Sequence, residues 1–396
     1  MDVMSVSGSG ASLTRRRALG SLGVLAGLAA AGCASSSAAT TDVTGRQPPP
    51  RILWRSKPLV DGEYVLGVVP AGSVVCVGDG FGNVYGLSAA SGKTRWRRTF
   101  GNNSAGYLPL AAAGGRVFAV GSGRVAALSA ATGAQLWSVP AAGVEPGFPP
   151  QLPTYFVVYA SGVVCVLGAD GDVTGLDPRT GRPVWRHRPP ASGGFGAGAV
   201  AGDGVLYVAQ TGGGVAALDV PSGRLRWAAP APSVASTLLV ADGVIAGTPT
   251  ASPSYDAGTL TFGLEAATGR LLWKKNFSTE TYSSIAGAGD QVFVHVDLLN
   301  GAATDGNAIY AVAPRSGKTL WYRSFPGQSI GGTIYAAGGV LYTCFSDGVL
   351  RALSPATGAD VWQSSALGPV GSITPGSGII YGNAAGSPDT IYAVRP

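Results

Sequence analysis

The chain has 396 residues, of which 62 are glycine and only 12% are charged, and its formal net charge is +6 at pH 7. An apolar share of 46% supplies a large core, which excludes a charge-driven disordered protein. The mild positive balance comes with no basic run longer than Arg15–Arg17 and no interleaving of aromatic and basic residues, which argues against a nucleic-acid binder.

The first element in chain order is an address. Residues 14–33 read TRRRALGSLGVLAGLAAAGC: a basic cluster, about fifteen weakly apolar residues, then small ones. Such a stretch is an export signal, too short and too glycine-rich for a spanning helix. Thr14–Leu19 resembles the twin-arginine consensus, with Arg15 and Arg16 as the pair and Ala18 where phenylalanine is preferred. Ala30-Ala31-Gly32-Cys33 resembles the bacterial lipobox, with Ala30 in place of leucine. That resemblance implies cleavage before Cys33 and a diacylglycerol on its thiol. An ordinary Sec signal, and free secretion after cleavage at a nearby small residue, are the alternatives. Residues 33–50 (CASSSAATTDVTGRQPPP) bury no core and read as a tether; the seventeen residues after Cys33 give a reach of roughly 20–25 Å. The expected division is 1–32 signal, 33–50 tether, 51–396 folded domain.

From there to the end one phrase returns: GLSAASGKTRW at 86–96, then ALSAATGAQLW, GLDPRTGRPVW, ALDVPSGRLRW, GLEAATGRLLW, AVAPRSGKTLW and ALSPATGADVW. Its closing tryptophans are Trp96, Trp137, Trp185, Trp227, Trp273, Trp321 and Trp362, spaced 41–48 residues apart, and Trp54 lies 42 residues before the first. A period in the forties, with short β-branched runs punctuated by glycine, predicts a propeller. The first position of the phrase is always Gly or Ala, which calls for a large group pressed on it; an indole from the neighbouring blade is the expected one. The seventh is always Gly, which supplies the positive φ of a tight turn, and the Ser or Thr before it can hydrogen-bond the turn backbone.

The pattern A-x-D-x-x-T-G-x-x-x-W resembles the tryptophan-docking motif of the pyrroloquinoline quinone (PQQ) type β-propeller repeat. The resemblance implies four-stranded blades, the motif spanning the two outer strands and pinning each blade to the next. It covers the chain from about Trp54 onward. The repeat is shared by quinoprotein dehydrogenases, assembly-factor lipoproteins and sensor domains, so it fixes fold rather than activity.

An eighth motif is split. DTIYAVRP (389–396) carries the pre-turn strand, with Ala393 at position one, and RILWRSKP (51–58) carries the tryptophan strand. The expectation is an all-β, eight-bladed propeller closed by pairing of the N- and C-terminal strands.

Candidate chemical groups are few. Cys76, Cys165 and Cys344 lie in strands of different blades and read as small buried residues. PQQ alcohol dehydrogenases carry a disulfide of adjacent cysteines over the cofactor, and no two cysteines are adjacent here. His187, between arginines just after a strand, reads as solvated; His295, alternating within a strand, reads as structural or facing the channel. Asp79-Gly80, Asp170-Gly171 and Asp347-Gly348 occupy one place in their repeats and read as hairpin chemistry. The irregular loops of the fifth and sixth blades, at 247–259 and 296–308, are the expected place for a private function.

The expected function is that of a cofactor-free, non-enzymatic protein-binding scaffold on the outer face of the cytoplasmic membrane, held by lipid on Cys33. It resembles the outer-membrane assembly-factor-like propeller lipoproteins. The alternatives are a quinoprotein oxidoreductase using PQQ with calcium and a ligand sensor with a separate signalling partner. No catalytic, cofactor or metal residues are assigned.

Overall fold

The computed structural model describes residues 50–395 apart from 58, 60–64, 80, 101–108, 122, 142–155, 169–171, 189–194, 211–212, 233–236, 249–259, 278–282, 299–305, 327–332, 346, 366–369, 377 and 385–389. Arg15, Arg16, Cys33, Asp170 and most of both irregular loops lie outside the described residues. Within them, thirty-two strands, β1–β32 in chain order, form eight four-stranded sheets.

The first blade shows the plan. From axis to rim it runs β2 (Val65–Ala71), β3 (Val74–Asp79), β4 (Asn83–Ser88) and β5 (Thr94–Thr99), each antiparallel to the next. The two middle strands, VVCVGD and NVYGLS, are buried at every residue, because neighbouring blades cover both faces of the sheet. The rim strand TRWRRT buries only Trp96. Eight apolar clusters fill the eight seams between blades.

The eighth blade is made from both ends: β30 (Val370–Gly376), β31 (Ile379–Ala384), β32 (Ile391–Arg395) and then β1 (Arg51–Arg55) on the rim. Trp54 pairs with Ala393 as Trp96 pairs with Gly86. The innermost strands touch in an unbroken circle, the last blade meeting the first through β30 and β2. The expected eight-bladed ring, closed by its terminal strands, is the fold found.

Tryptophan docking has a geometry that the repeat alone did not reveal. The group over position one is the indole of the same motif, not of the neighbouring blade. A Cβ on Gly86, Gly175 or Gly263 would lie 2.1–2.3 Å from atoms of Trp96, Trp185 or Trp273. A register shift in the rim ladder, one residue before each tryptophan, aims the indole back over its cross-strand partner. The other edge of the ring then reaches the next blade. Trp54 lies on Gly92, Trp96 on Gly133 and Trp137 on Gly181, and so on around the ring to Trp321 on Gly358. Gly92 has φ of +68°, and a Cβ there would meet Trp54 at 2.3 Å, so conformation and space both demand glycine. Seven indole N–H groups donate to the fourth-position carbonyl of the next motif at 2.5–3.1 Å, from Trp54 to Ala89 through Trp321 to Pro355. The eighth, Trp362 Nε1, is buried and has no hydrogen-bond partner among the described residues.

Antiparallel alternation places the turns after the first and third strands of every blade on one end of the ring. The hairpins between middle strands, and the connections between blades, fall on the other. Asp-Gly hairpins sit at the first of these ends: Asp203-Gly204 and Asp242-Gly243 both have positive φ at each residue, as a primed turn requires. The aspartates singled out from sequence differ. Asp79 is the buried last residue of β3, and Asp347 lies in the turn two residues nearer its motif, so they do not share one place.

Candidate functional site

Buried polar side chains gather toward the end of the ring that carries the inter-blade connections. Asp79 Oδ1 accepts the backbone N–H of Phe81 and Asn83 at 3.0 and 2.8 Å. Its Oδ2 accepts Asn83 Nδ2 at 2.7 Å and the Tyr85 hydroxyl at 3.0 Å. Asn83 Oδ1 in turn accepts Arg97 at 3.1 Å and Thr99 Oγ1 at 2.7 Å. In the third blade Asp172 stands where Asn83 stands, three residues before the motif, and pairs with Arg186 at 2.6 Å and Arg188 at 3.2 Å.

The sixth blade repeats the theme with a histidine. His295, in β23 (Gln291–Leu298), is buried. Nδ1 lies 3.3 Å from Ser284 Oγ, and Nε2 lies 2.8 Å from Asn307 Oδ1. Its ring meets Phe345 of the seventh blade at 5.7 Å, so it faces a seam and not the channel. Burial lowers its pKa to about 4, partly offset by the Asn307 bond, so the imidazole is neutral near pH 7. His187 is the half-buried last residue of its strand, rather than a solvated one beyond it.

Each network ties strands within one blade, and its polar atoms are already engaged there. The three described cysteines are buried in separate blades, and burial pushes Cys76 and Cys165 up to about 12. No group of three or more His, Cys, Asp or Glu among the described residues could hold a metal ion. The described residues therefore do not fit a quinone with calcium: Asp79 and Asp172 are committed to neighbours, and no cysteine pair stands over the channel.

What remains is surface. A shallow groove of about 370 Å³ between the fourth and fifth blades is lined by Tyr207, Trp227, Arg226, Glu265 and Arg315. Three of its charges are paired, Arg226 with Asp219 at 2.7 Å, Glu265 with Arg270 at 3.3 Å, and Arg315 with Asp242 at 3.0 Å. The rim strands carry the other distinctive surface. Aliphatic side chains stand exposed on them at Leu136, Val184, Leu225, Leu271 and Leu320. Cations interleave with tryptophan there, as at Arg95-Trp96-Arg97-Arg98, against the reading from sequence. The indole is buried, however, and is not available to stack on a base.

A closed ring of eight four-stranded blades, seven of its indoles bonded to the next motif, defines a β-propeller built on tryptophan docking. The chain belongs to the family whose model is described as outer membrane protein assembly factor BamB, which matches residues 41–188, 169–262 and 256–394. It is 29% identical over 283 residues to the outer membrane protein assembly factor BamB of Burkholderia pseudomallei strain K96243, covering 68% of each chain. The crystal structure of BamB from Moraxella catarrhalis superposes with a TM-score of 0.62 at 20% identity, over 88% of this chain and 98% of that one. A quinohemoprotein alcohol dehydrogenase from Pseudomonas putida HK5 superposes at 0.64 and 14% identity, over 87% of this chain and 76% of that one. At those identities the two structures share the fold.

Proposed function

We propose that the chain is an exported, lipid-anchored propeller that binds other proteins of the cell envelope and carries no cofactor. The family match across all eight blades supports this reading most. The relatives' printed name, an outer membrane protein assembly factor, makes envelope protein assembly the process to test first. A propeller suits that work: its loops vary while docked tryptophans hold the ring fixed.

Anchoring rests on Cys33, acylated after cleavage of residues 1–32, with residues 33–50 as the tether. Export through the twin-arginine route uses Arg15 and Arg16. The anchoring membrane is read as the cytoplasmic one, facing outward, whereas the relatives' name points to the outer membrane; density fractionation of envelopes separates the two. The function itself is tested by crosslinking in intact cells, purification in mild detergent, and mass spectrometry of protein and small-molecule content. One dominant envelope protein and no quinone is the expected result. Stoichiometric quinone, with no protein partner, overturns the reading.

A further inference from the structure

The groove between the fourth and fifth blades has a template one seam further round the ring. In the fifth blade the turn after the first strand carries Asp242, whose carboxylate accepts Arg315 Nε at 3.0 Å. Arg315 is the fifth residue of the next motif, AVAPRSGKTLW. It lies over the turn, since a Cβ on Gly243 would sit 3.3 Å from its Nη2. The fourth blade has the same turn, Asp203-Gly204, again with positive φ at both residues. The fifth residue of the motif that follows it is Ala267. The cation of the pair is missing there, and Asp203 and Ala267 both line the groove.

The groove offers a place for one. Asp203 is exposed, and among the described residues no cation pairs with it. Its charge acts on the Tyr207 phenol, whose pKa is raised, by burial first, with Arg226 opposing and Asp203 adding. Trp227, half-buried, lines the same wall and meets Tyr207 at 5.9 Å between centroids. Arg226, Glu265 and Arg315 are matched by Asp219, Arg270 and Asp242, so Asp203 leaves one negative charge in excess. An unpaired carboxylate beside an indole suits a planar guanidinium, which can fork onto the acid and lay its face on the ring.

We propose that this groove receives an arginine side chain from an exposed segment of a partner protein. The proposal rests on the protein-binding reading above for the source of that arginine. The guanidinium would pair with Asp203 against Trp227, in the place that Arg315 holds one seam on. Arginine is among the residues that most often dominate the energy of protein interfaces. A lysine would make the charge contact without the stacked plane.

The test is an NMR titration of the full isotope-labelled chain with acetyl-Gly-Arg-Gly-amide, following the eight indole N–H signals. Trp227→Phe identifies the Trp227 signal. Expected is a saturable shift of that signal, absent with acetyl-Gly-Gln-Gly-amide. Asp203→Asn, which tolerates the positive φ, should weaken binding roughly tenfold or more. Asp290→Asn, the same change at an exposed acid in the sixth blade's turn and outside the groove, should alter it by less than about twofold. Ala267→Arg, which supplies the missing cation from the chain itself, should abolish it. No shift with the arginine peptide, equal loss at Asp203 and Asp290, or undiminished binding by Ala267→Arg overturns the proposal. So does tighter binding of free arginine than of the capped peptide, which would assign the groove to a small guanidinium metabolite. The titration needs no partner, so the two readings fail separately: a chain that crosslinks to an envelope protein but ignores the peptide keeps the first and loses the groove.

Discussion

Cys76 lies directly across from Gly86 in the first blade, and the pair explains two of the three cysteines. Where the motif opens on glycine, the indole settles onto it and the second strand offers a small partner: Cys76, Cys165 or Ala246. Where it opens on alanine, the indole is held off, and the second strand supplies an aromatic ring beside it. Phe118 meets Trp137, Tyr207 meets Trp227, Phe293 meets Trp321, Tyr342 meets Trp362 and Tyr381 meets Trp54, with centroids 5.8–6.0 Å apart. The two arrangements are alternative ways to fill one volume.

Gly86→Ala should therefore destabilise by about 1–3 kcal/mol, because the added methyl at 2.1 Å forces Trp96 to move inside a packed seam. Urea unfolding with an unchanged slope would measure it. A neutral Gly86→Ala would mean that the indole has room to rotate.

Trp96→Phe and Trp362→Phe remove similar area but should differ. The first orphans the Ala130 carbonyl, which accepts Trp96 Nε1 at 2.9 Å. The second deletes a buried donor that has no partner among the described residues. We expect Trp96→Phe to cost more by about 1–2 kcal/mol. Equal losses would show that Trp362 Nε1 finds a partner in solution.

Acid should weaken the fold through His295. Its folded pKa, near 4, lies below the unfolded value near 6.5, so the unfolded chain binds more protons between the two. Stability from this group is full above about pH 6.5 and falls as the pH drops toward 4, by at most about 3 kcal/mol. His295→Gln should lose that slope in unfolding midpoints taken across the window. A slope identical to that of the parent would show that carboxylates cause it.

The thiols should be silent. Cys76 and Cys165 are buried and held near pKa 12, so iodoacetamide at pH 8 should leave them unmodified until denaturant is added. Labelling of the native protein within minutes would show that seams open.

Much of this architecture was legible in the sequence, since eight tryptophans on one grid and a motif divided between the ends specify blade number and closure. The direction of the indole was not. Period and small-residue preference are the same whether the ring comes from the same blade or the next, and the bulge that decides it, opposite Gly86 and Leu87, leaves no residue signature. The pairing rule for Cys76 and Phe118 was hidden too, because it links strands that the motif does not span.

Closure through β1 and β32 also imposes an order in time. Among the described strands β1 is the first to be translated, and its ladder partner is the last. Until Ile391–Arg395 arrive, β1 has no strand beside it, and Trp54 can rest on the first blade but not on its own. A chain halted anywhere between would be an open arc with two raw edges, not a smaller ring. The circle is therefore completed by the pairing of its two most distant strands, and by no local step.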